Sequence, residues 1–362
     1  LLQSLELPKP TAFSAYGLQF QLPFRSGVLP ESLAAPTPAE LAYLSGFFDG
    51  DGCVSVESNH SGCVLVISQS IQHAEVLVMF HRAFGGSILL SRPPRGSCKA
   101  VLCLKIGGNG CRRAAQMLSL SPSLKQEQLN IAASWPHCPI ERQTLALQMR
   151  SLKQSASSNV VVDSWEYLAG FFDAEGCISI RARYGVELAI GQKHVAILAA
   201  IAYFISSSTE GLRPRISSRT SCHTLRVFSG GASKLILRKM IGAGLLQKRQ
   251  AAEIALACTA ENHLHSRERL SLLVGNQGRY RRLDTEGCER ARQIQRMQWR
   301  LRGRVSSTDT DVIQLQQQNA LLWKQHVERS AHARIGLLRS DIRCLLRQGA
   351  MRVSKPGPDT AF

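Results

Sequence analysis

Leu44-Ser45-Gly46-Phe47-Phe48-Asp49-Gly50-Asp51-Gly52 returns later in the chain as Leu168-Ala169-Gly170-Phe171-Phe172-Asp173-Ala174-Glu175-Gly176. The offset is 124 residues, from 44 to 168. Each copy is an apolar, small-residue run ending in an acid and a glycine. A repeat of that period predicts a duplicated fold unit about a two-fold or pseudo-two-fold axis. An acid closing each copy predicts a paired carboxylate site on that axis.

The spacing inside the motif carries a packing argument. Gly46 and Gly50 lie four apart on one helical face, as do Gly170 and Ala174. Glycine inside a helix costs about 0.5–1 kcal/mol relative to alanine. Bearing that cost in both copies predicts a seam where two helix backbones approach closely. Asp51 and Glu175 then fall in the last helical turn, where the macrodipole disfavours a carboxylate by about 0.3–1 kcal/mol. Pairing the helices in parallel adds like-charge repulsion. A bound divalent cation reverses that balance. Hard oxygen ligands, with no histidine or cysteine cluster in view, favour Mg²⁺ over zinc. Asp49 and Asp173 point to another side of each helix, where they are expected to hydrogen-bond at the seam.

The surroundings repeat as well. Thr37-Pro38-Ala39-Glu40 is a helix start with an N-cap, a first-turn proline and an acid at the third position. After the first motif come alternating stretches at 53–57 and 64–69, an apolar helix at 74–84, and stretches at 87–92 and 99–106. Helices follow at about 109–118 and 125–134. After the second motif the same order runs through 177–183, 186–192, a helix in the apolar run 195–205, 212–219 and 223–228. Helices at about 232–241 and 247–258 close it. Gly107-Gly108 matches Gly230-Gly231. The expected organisation is an N-terminal extension without order at 1–36, a first half-domain at 37–149, a linker at 150–163, a second half-domain at 164–258 and a basic, mostly helical extension at 259–362.

Bulk properties agree with a polyanion-binding protein. The 362 residues carry a formal net charge of +18, with a sequence pI of about 9.9. Nucleic acid is the commonest partner of such a charge. About half of that excess lies in 259–362, with 19 Lys and Arg against 10 Asp and Glu. The 11 cysteines are scattered, odd in number and include no CxxC pair, so neither a zinc ribbon nor a disulfide framework is indicated and a reducing compartment fits better. The longest apolar run is too short to span a bilayer. The first residue is Leu1, as processing or an incomplete gene reading would leave it, and 1–36 carries no readable targeting signal.

Both segments resemble the LAGLIDADG motif of homing endonucleases, in the single-chain form with two motifs. The resemblance spans about residues 38–258 in motif, hairpin and helix order. It implies an α+β fold: two αββαββα half-domains about a pseudo-two-fold axis, with antiparallel sheets forming a saddle over the DNA major groove. The basic helical C-terminal region is extra to it. It implies that Asp51 and Glu175 bind the catalytic divalent cation, Mg²⁺ or another such as Mn²⁺. It implies further site residues at Gln69 and Gln192, the ends of the second strands, and at Lys125 and Lys248, before the final helices. Gln247 is the alternative register for Lys248. The activity implied is sequence-specific double-strand DNA cleavage by metal-assisted phosphodiester hydrolysis, serving the spread of an intron or similar element. The resemblance also favours a monomer and an organelle, chloroplast or mitochondrion, as the compartment.

Strand alternation lets one sheet face present side chains to base edges. The candidates are Arg92, Arg95 and Lys99 in the first half, and Arg181, Arg183, Lys193, Arg213, Arg215, Arg219 and Arg226 in the second. Ser70 stands where Lys193 stands in the second copy, so the halves are expected to contact unlike half-sites. Two other functions remain open: an intron-encoded RNA maturase using the basic tail, and a DNA-binding protein that does not cut.

Overall fold

A computed structural model describes residues 1–25, 36–154, 161–181, 185–219, 222–274, 280, 282–302 and 310–353. Its architecture is mixed helix and antiparallel sheet. Four short strands open the chain: β1 (Leu5–Glu6), β2 (Ala12–Ala15), β3 (Leu18–Gln21) and β4 (Phe24–Arg25). The first half follows as α1 (Pro38–Asp51), β5 (Gly52–Val56), β6 (Cys63–Ser70), α2 (Glu75–Phe84), β7 (Ser87–Arg92), β8 (Val101–Ile106), α3 (Gly108–Leu118) and α4 (Gln126–Ala133). A further helix, α5 (Pro139–Leu152), leads toward the second half. That half runs α6 (Trp165–Glu175), β9 (Gly176–Ile180), β10 (Val186–Gln192), α7 (Val195–Ser208), β11 (Arg215–Arg219), β12 (Cys222–Val227), α8 (Gly230–Gly242) and α9 (Arg249–Leu256). The extension holds α10 (His263–Val274), α11 (Thr285–Leu301), α12 (Thr310–Arg347) and β13 (Met351–Arg352). No helix among the described residues is long and apolar enough to cross a membrane.

The two main sheets share one topology. The first is ordered β4-β7-β8-β6-β5 and the second β11-β12-β10-β9. Removing β4 makes them equivalent, which is the duplication expected from the repeat. Helix α1 starts with a full capping box, Thr37 and Glu40 each bonding the other's backbone N–H. Its residues Tyr43 to Asp49 are all buried, as are Tyr167 to Asp173 of α6. A helix buried all round belongs between layers, and α1 and α6 pack on each other in parallel at the centre of the molecule. The seam is set by glycine. A Cβ on Gly46 would overlap the Tyr167 carbonyl, and one on Gly170 would overlap the Tyr43 carbonyl. Gly50 faces Ala174 in the same way.

The expectation of disorder at 1–36 is corrected for residues 1–25. Strands β2 and β3 pair around a tight turn, where Tyr16 and Gly17 take positive φ. Strand β4 adds itself to the edge of the first sheet beside β7. The physical reason is an aromatic cluster: Phe13 stacks on Phe20 at 5.2 Å, and Phe24 meets both and lies 4.7 Å from His81. Burial of those rings outweighs the ordering cost that a low-charge, proline-containing segment would otherwise not recover. Residues 26–35 lie outside the described residues. So do 155–160 of the expected linker, whose first residues belong to α5 instead.

Strand β1 lies against the tip of the β7–β8 hairpin and carries β13 with it. Strands β1 and β13 pair antiparallel, and Val353 N–H donates to the Ser4 carbonyl at 2.8 Å. Gly96, in the hairpin turn, donates to the Leu5 carbonyl at 2.7 Å, and Leu7 donates to Pro94 at 3.3 Å. A Cβ on Gly96 would crowd the Leu2 carbonyl. Between the second half and this clasp runs α12, 38 residues and so about 57 Å long at 1.5 Å per residue.

Candidate active site at the ends of the paired helices

The last residues of α1 and α6 are Asp51 and Glu175. Because the helices run parallel, both acids emerge at the same end of the seam. Gln69, near the end of β6, donates through Nε2 to Asp51 Oδ2. Gln192, the last residue of β10, donates through Nε2 to Glu175 Oε1 at 2.8 Å. Each carboxylate is thus held through one oxygen by its own half. Burial pushes the Asp51 carboxyl up, against the pull of Lys248, the Gln69 bond and Lys125. Burial also raises Glu175, and the Asp51 charge raises it further. Paired acids crowded this way are out of balance as a structural element alone.

Two lysines lie near enough for their charges to act on both acids. Lys125 is the residue before α4, and its Nζ donates to the Phe48 and Asp49 carbonyls, each at 2.7 Å. Lys248 is the residue before α9, and its Nζ donates to the Asp173 carbonyl. They occupy matching places, which selects Lys248 over Gln247 as the counterpart of Lys125. Burial lowers the pKa of both, and the neighbouring acids Asp51 and Glu175 resist that fall at each.

The seam acids explain why those lysines sit where they do. Asp49 accepts from Ser123 Oγ at 2.6 Å, from Leu124 N–H at 2.8 Å and from Tyr167 OH at 2.6 Å. Asp173 accepts from Leu246, Gln247 and Lys248 N–H at 2.7, 3.0 and 2.8 Å, and from Tyr43 OH at 2.7 Å. Each aspartate therefore caps the N-terminus of its own half's last helix and binds the tyrosine of the other half. Carboxylates at helix N-termini are favoured by the dipole. The structural role expected for these two acids is the one they have.

The residue types at this site suit a hard cation. Two carboxylates with amide neighbours provide oxygen ligands, and no group of three or more His, Cys, Asp or Glu able to hold a metal occurs among the described residues. A two-carboxylate set matches Mg²⁺, which keeps several waters, better than a closed zinc cage.

The candidate DNA contacts are dispersed. Arg92 ends β7 and is exposed, and Lys99 is partly buried before β8. Arg95 is occupied by the terminal clasp: its Nε donates to the Gln3 carbonyl at 2.9 Å and lies 3.5 Å from Glu6. Lys193 is exposed just past β10. Arg213 is exposed but precedes β11, because Pro214 lies between it and the first paired residue, Arg215. Arg215 pairs across from Arg226. Arg219 ends β11, and Arg183 lies outside the described residues.

Three features escaped the sequence reading. Tyr43 and Tyr167 extend the repeat by one residue upstream, a signal that was present. Lys153, after α5, brings Nζ to 3.3 Å from Ser55 Oγ and 3.5 Å from Cys53 Sγ, just past the first motif. Glu187 binds two of the arginines: Oε2 lies 2.6 Å from Arg181 Nη2, and Oε1 lies 3.5 Å from Arg226 Nη1.

Residues 38–85 match the family model described as a LAGLIDADG-like domain. The chain is similar to the LAGLIDADG meganuclease I-AabMI bound to uncleaved DNA, with 14% identity, 64% of this chain and 97% of that chain covered, and a TM-score of 0.49. It is similar to the LAGLIDADG homing endonuclease I-GzeII in complex with its DNA target, with 14% identity, 67% and 99% coverage, and a TM-score of 0.48. No curated protein sequence matches it. With the family match on its first motif, and a second motif helix paired against that one, the chain resembles the LAGLIDADG family in its single-chain, two-motif form.

Proposed function

We propose that this protein is a sequence-specific, divalent-metal-dependent endonuclease that cuts both strands of a double-stranded DNA target and works as a monomer. The observation that carries the reading is the meeting of Asp51 and Glu175 at one end of a parallel helix pair, each braced by a glutamine from its own half, with the charges of Lys125 and Lys248 both acting on the pair. Asp51 and Glu175 would hold the cation, Mg²⁺ or Mn²⁺, which when bound supplies an activated water and neutralises charge on the phosphate. Gln69 and Gln192 orient the carboxylates by tying down one oxygen of each. Lys125 and Lys248 are held against the ends of the motif helices, where their charge favours a scissile phosphate. One half would serve each strand. The arginine-bearing strands of the second half and Arg92 and Lys99 of the first would contact the duplex.

The test is cleavage of a plasmid library in Mg²⁺. The expected result is a unique double-strand cut, lost on Asp51→Asn or Glu175→Gln while DNA binding persists. Cutting that survives in both variants would remove the site assignment. A second reading, an RNA maturase, draws support from the exposed Trp299 and Trp323 on the arginine-rich α11 and α12, since base stacking on aromatics beside cations suits single strands. Dependence of host-intron splicing on this protein would separate it from a nuclease alone.

A further inference from the structure

The second sheet carries an acid where a DNA-facing surface has least use for one. Leu188 and Ile190 of β10 are buried in the core, so Glu187, Ala189 and Gly191 lie on the opposite face. Glu187 is held there with its side chain only 12% exposed, between arginines that are 45% and 39% exposed. Arg181 approaches it edge-on. Its Nε and Nη2 both reach Glu187 Oε2, at 2.7 and 2.6 Å. The guanidinium also lies over the Phe228 ring, 4.9 Å from the centroid, which fixes its plane. The other carboxylate oxygen faces Arg226 Nη1 at 3.5 Å, and Arg226 stands across the strand pair from Arg215.

We infer that Glu187 is a positioning residue that aims Arg181 and Arg226 at guanines in the half-site read by the second half. This rests on the DNA-binding reading above. A guanidinium has five N–H donors in a rigid fork. Glu187 takes the Nε–Nη2 edge of Arg181 and leaves the Nη1–Nη2 end free to donate to guanine O6 and N7, the commonest specific contact in the major groove. The two arginines are part-exposed while the acid between them is nearly covered, so the carboxylate holds the guanidiniums from beneath rather than meeting the phosphates itself. Fixing two flexible arginines before binding lowers the ordering cost of each contact. The matching places of the first half carry no such device. Val64 stands in place of Glu187, Glu57 in place of Arg181, and Lys105 faces Val66 as Arg226 faces Ala189.

The experiment is selection of randomised duplex DNA by the full chain without divalent metal, followed by affinity measurements over a salt series. Wild type is expected to enrich guanine at two positions of one half-site. Arg181→Ala should flatten one of them and Arg226→Ala the other. Arg181→Lys should flatten the same position as Arg181→Ala while keeping the salt dependence, because charge remains and the fork does not. Glu187→Gln should weaken the guanine preference at both positions by about 10-fold and leave non-specific affinity equal or tighter. Unchanged preferences in Glu187→Gln, or guanine preferences that survive both arginine-to-alanine changes, would overturn the assignment while leaving the DNA-binding reading intact. Should wild type enrich no sequence at all, the inference falls together with the reading it rests on.

Discussion

Replacing Gly46 by alanine should destabilise this protein, although alanine is the better helix former. The propensity gain is about 1 kcal/mol. Against it stands the seam. The added methyl group would overlap the Tyr167 carbonyl oxygen, a backbone atom of α6 that cannot rotate away. The helices would have to separate, and overpacking of this kind costs about 1–3 kcal/mol. Separation also stretches Tyr167 OH to Asp49 and Tyr43 OH to Asp173, now at 2.6 and 2.7 Å. Buried hydrogen bonds to charged groups contribute about 1.5–3 kcal/mol each. With partial loss of both, the net change is a destabilisation of about 3 kcal/mol. Gly336→Ala is the matched control: Gly336 lies in α12 with nothing within 4 Å of its missing Cβ, so that change should stabilise by about 0.5–1 kcal/mol. Urea unfolding followed by circular dichroism measures both. A Gly46→Ala protein as stable as wild type would refute the close-seam argument.

Other consequences are as direct. Tyr167→Phe and Tyr43→Phe each remove a donor from a buried aspartate and should each cost about 1.5–3 kcal/mol in the same assay. Lys125→Met and Lys248→Met should abolish cutting in a plasmid assay while DNA binding in gel-shift experiments survives; undiminished cutting in either would remove that lysine from the site. Glu40 has its carboxyl held below the usual range by the Thr37 backbone bond and Arg82, so its stabilisation is present above the ordinary carboxylate pKa and lost as pH falls through the lowered one. Glu40→Gln should therefore cost about 0.5–1 kcal/mol at neutral pH, with the deficit vanishing in acid melts. Burial pushes the Cys63 thiol up to about 12 and Cys111 to about 11. Mass spectrometry after iodoacetamide treatment should find both unlabelled while the exposed Cys98, Cys138, Cys177, Cys222 and Cys344 react.

The duplication and its central seam were legible because they rest on local periodicity and on a cost repeated at Gly46 and Gly170. Asp51 and Glu175 were legible for the same reason. Their neighbours were less so. Gln69 and Lys125 come from strand and helix ends far along the chain, and only the family resemblance joined them to the motif. Residues 1–25 were misjudged because a two-residue edge strand and a three-ring cluster leave almost no periodic signal, though Tyr16-Gly17 between alternating stretches marked the hairpin. The engagement of Arg95 with Gln3 and Glu6 was not legible, because charge alone cannot reveal a partner separated from it by most of a domain. Glu187 was passed over for the converse reason: an acid among arginines reads as dilution of charge until its geometry is known.

The clasp between β1 and β13 alters what kind of object the chain is. The first half, the covalent connection, the second half, α12 and the clasp form a closed circuit, so the halves are joined by two independent routes besides their seam. A single proteolytic nick between the halves would leave them in register, as a ring cut once remains one piece. Nor can either half melt without drawing on the other, since each supplies the other's tyrosine. Unfolding should then proceed as one cooperative event across the whole circuit, and the order in which the halves emerge during synthesis would matter less than the late arrival of β13, which fastens the circuit last.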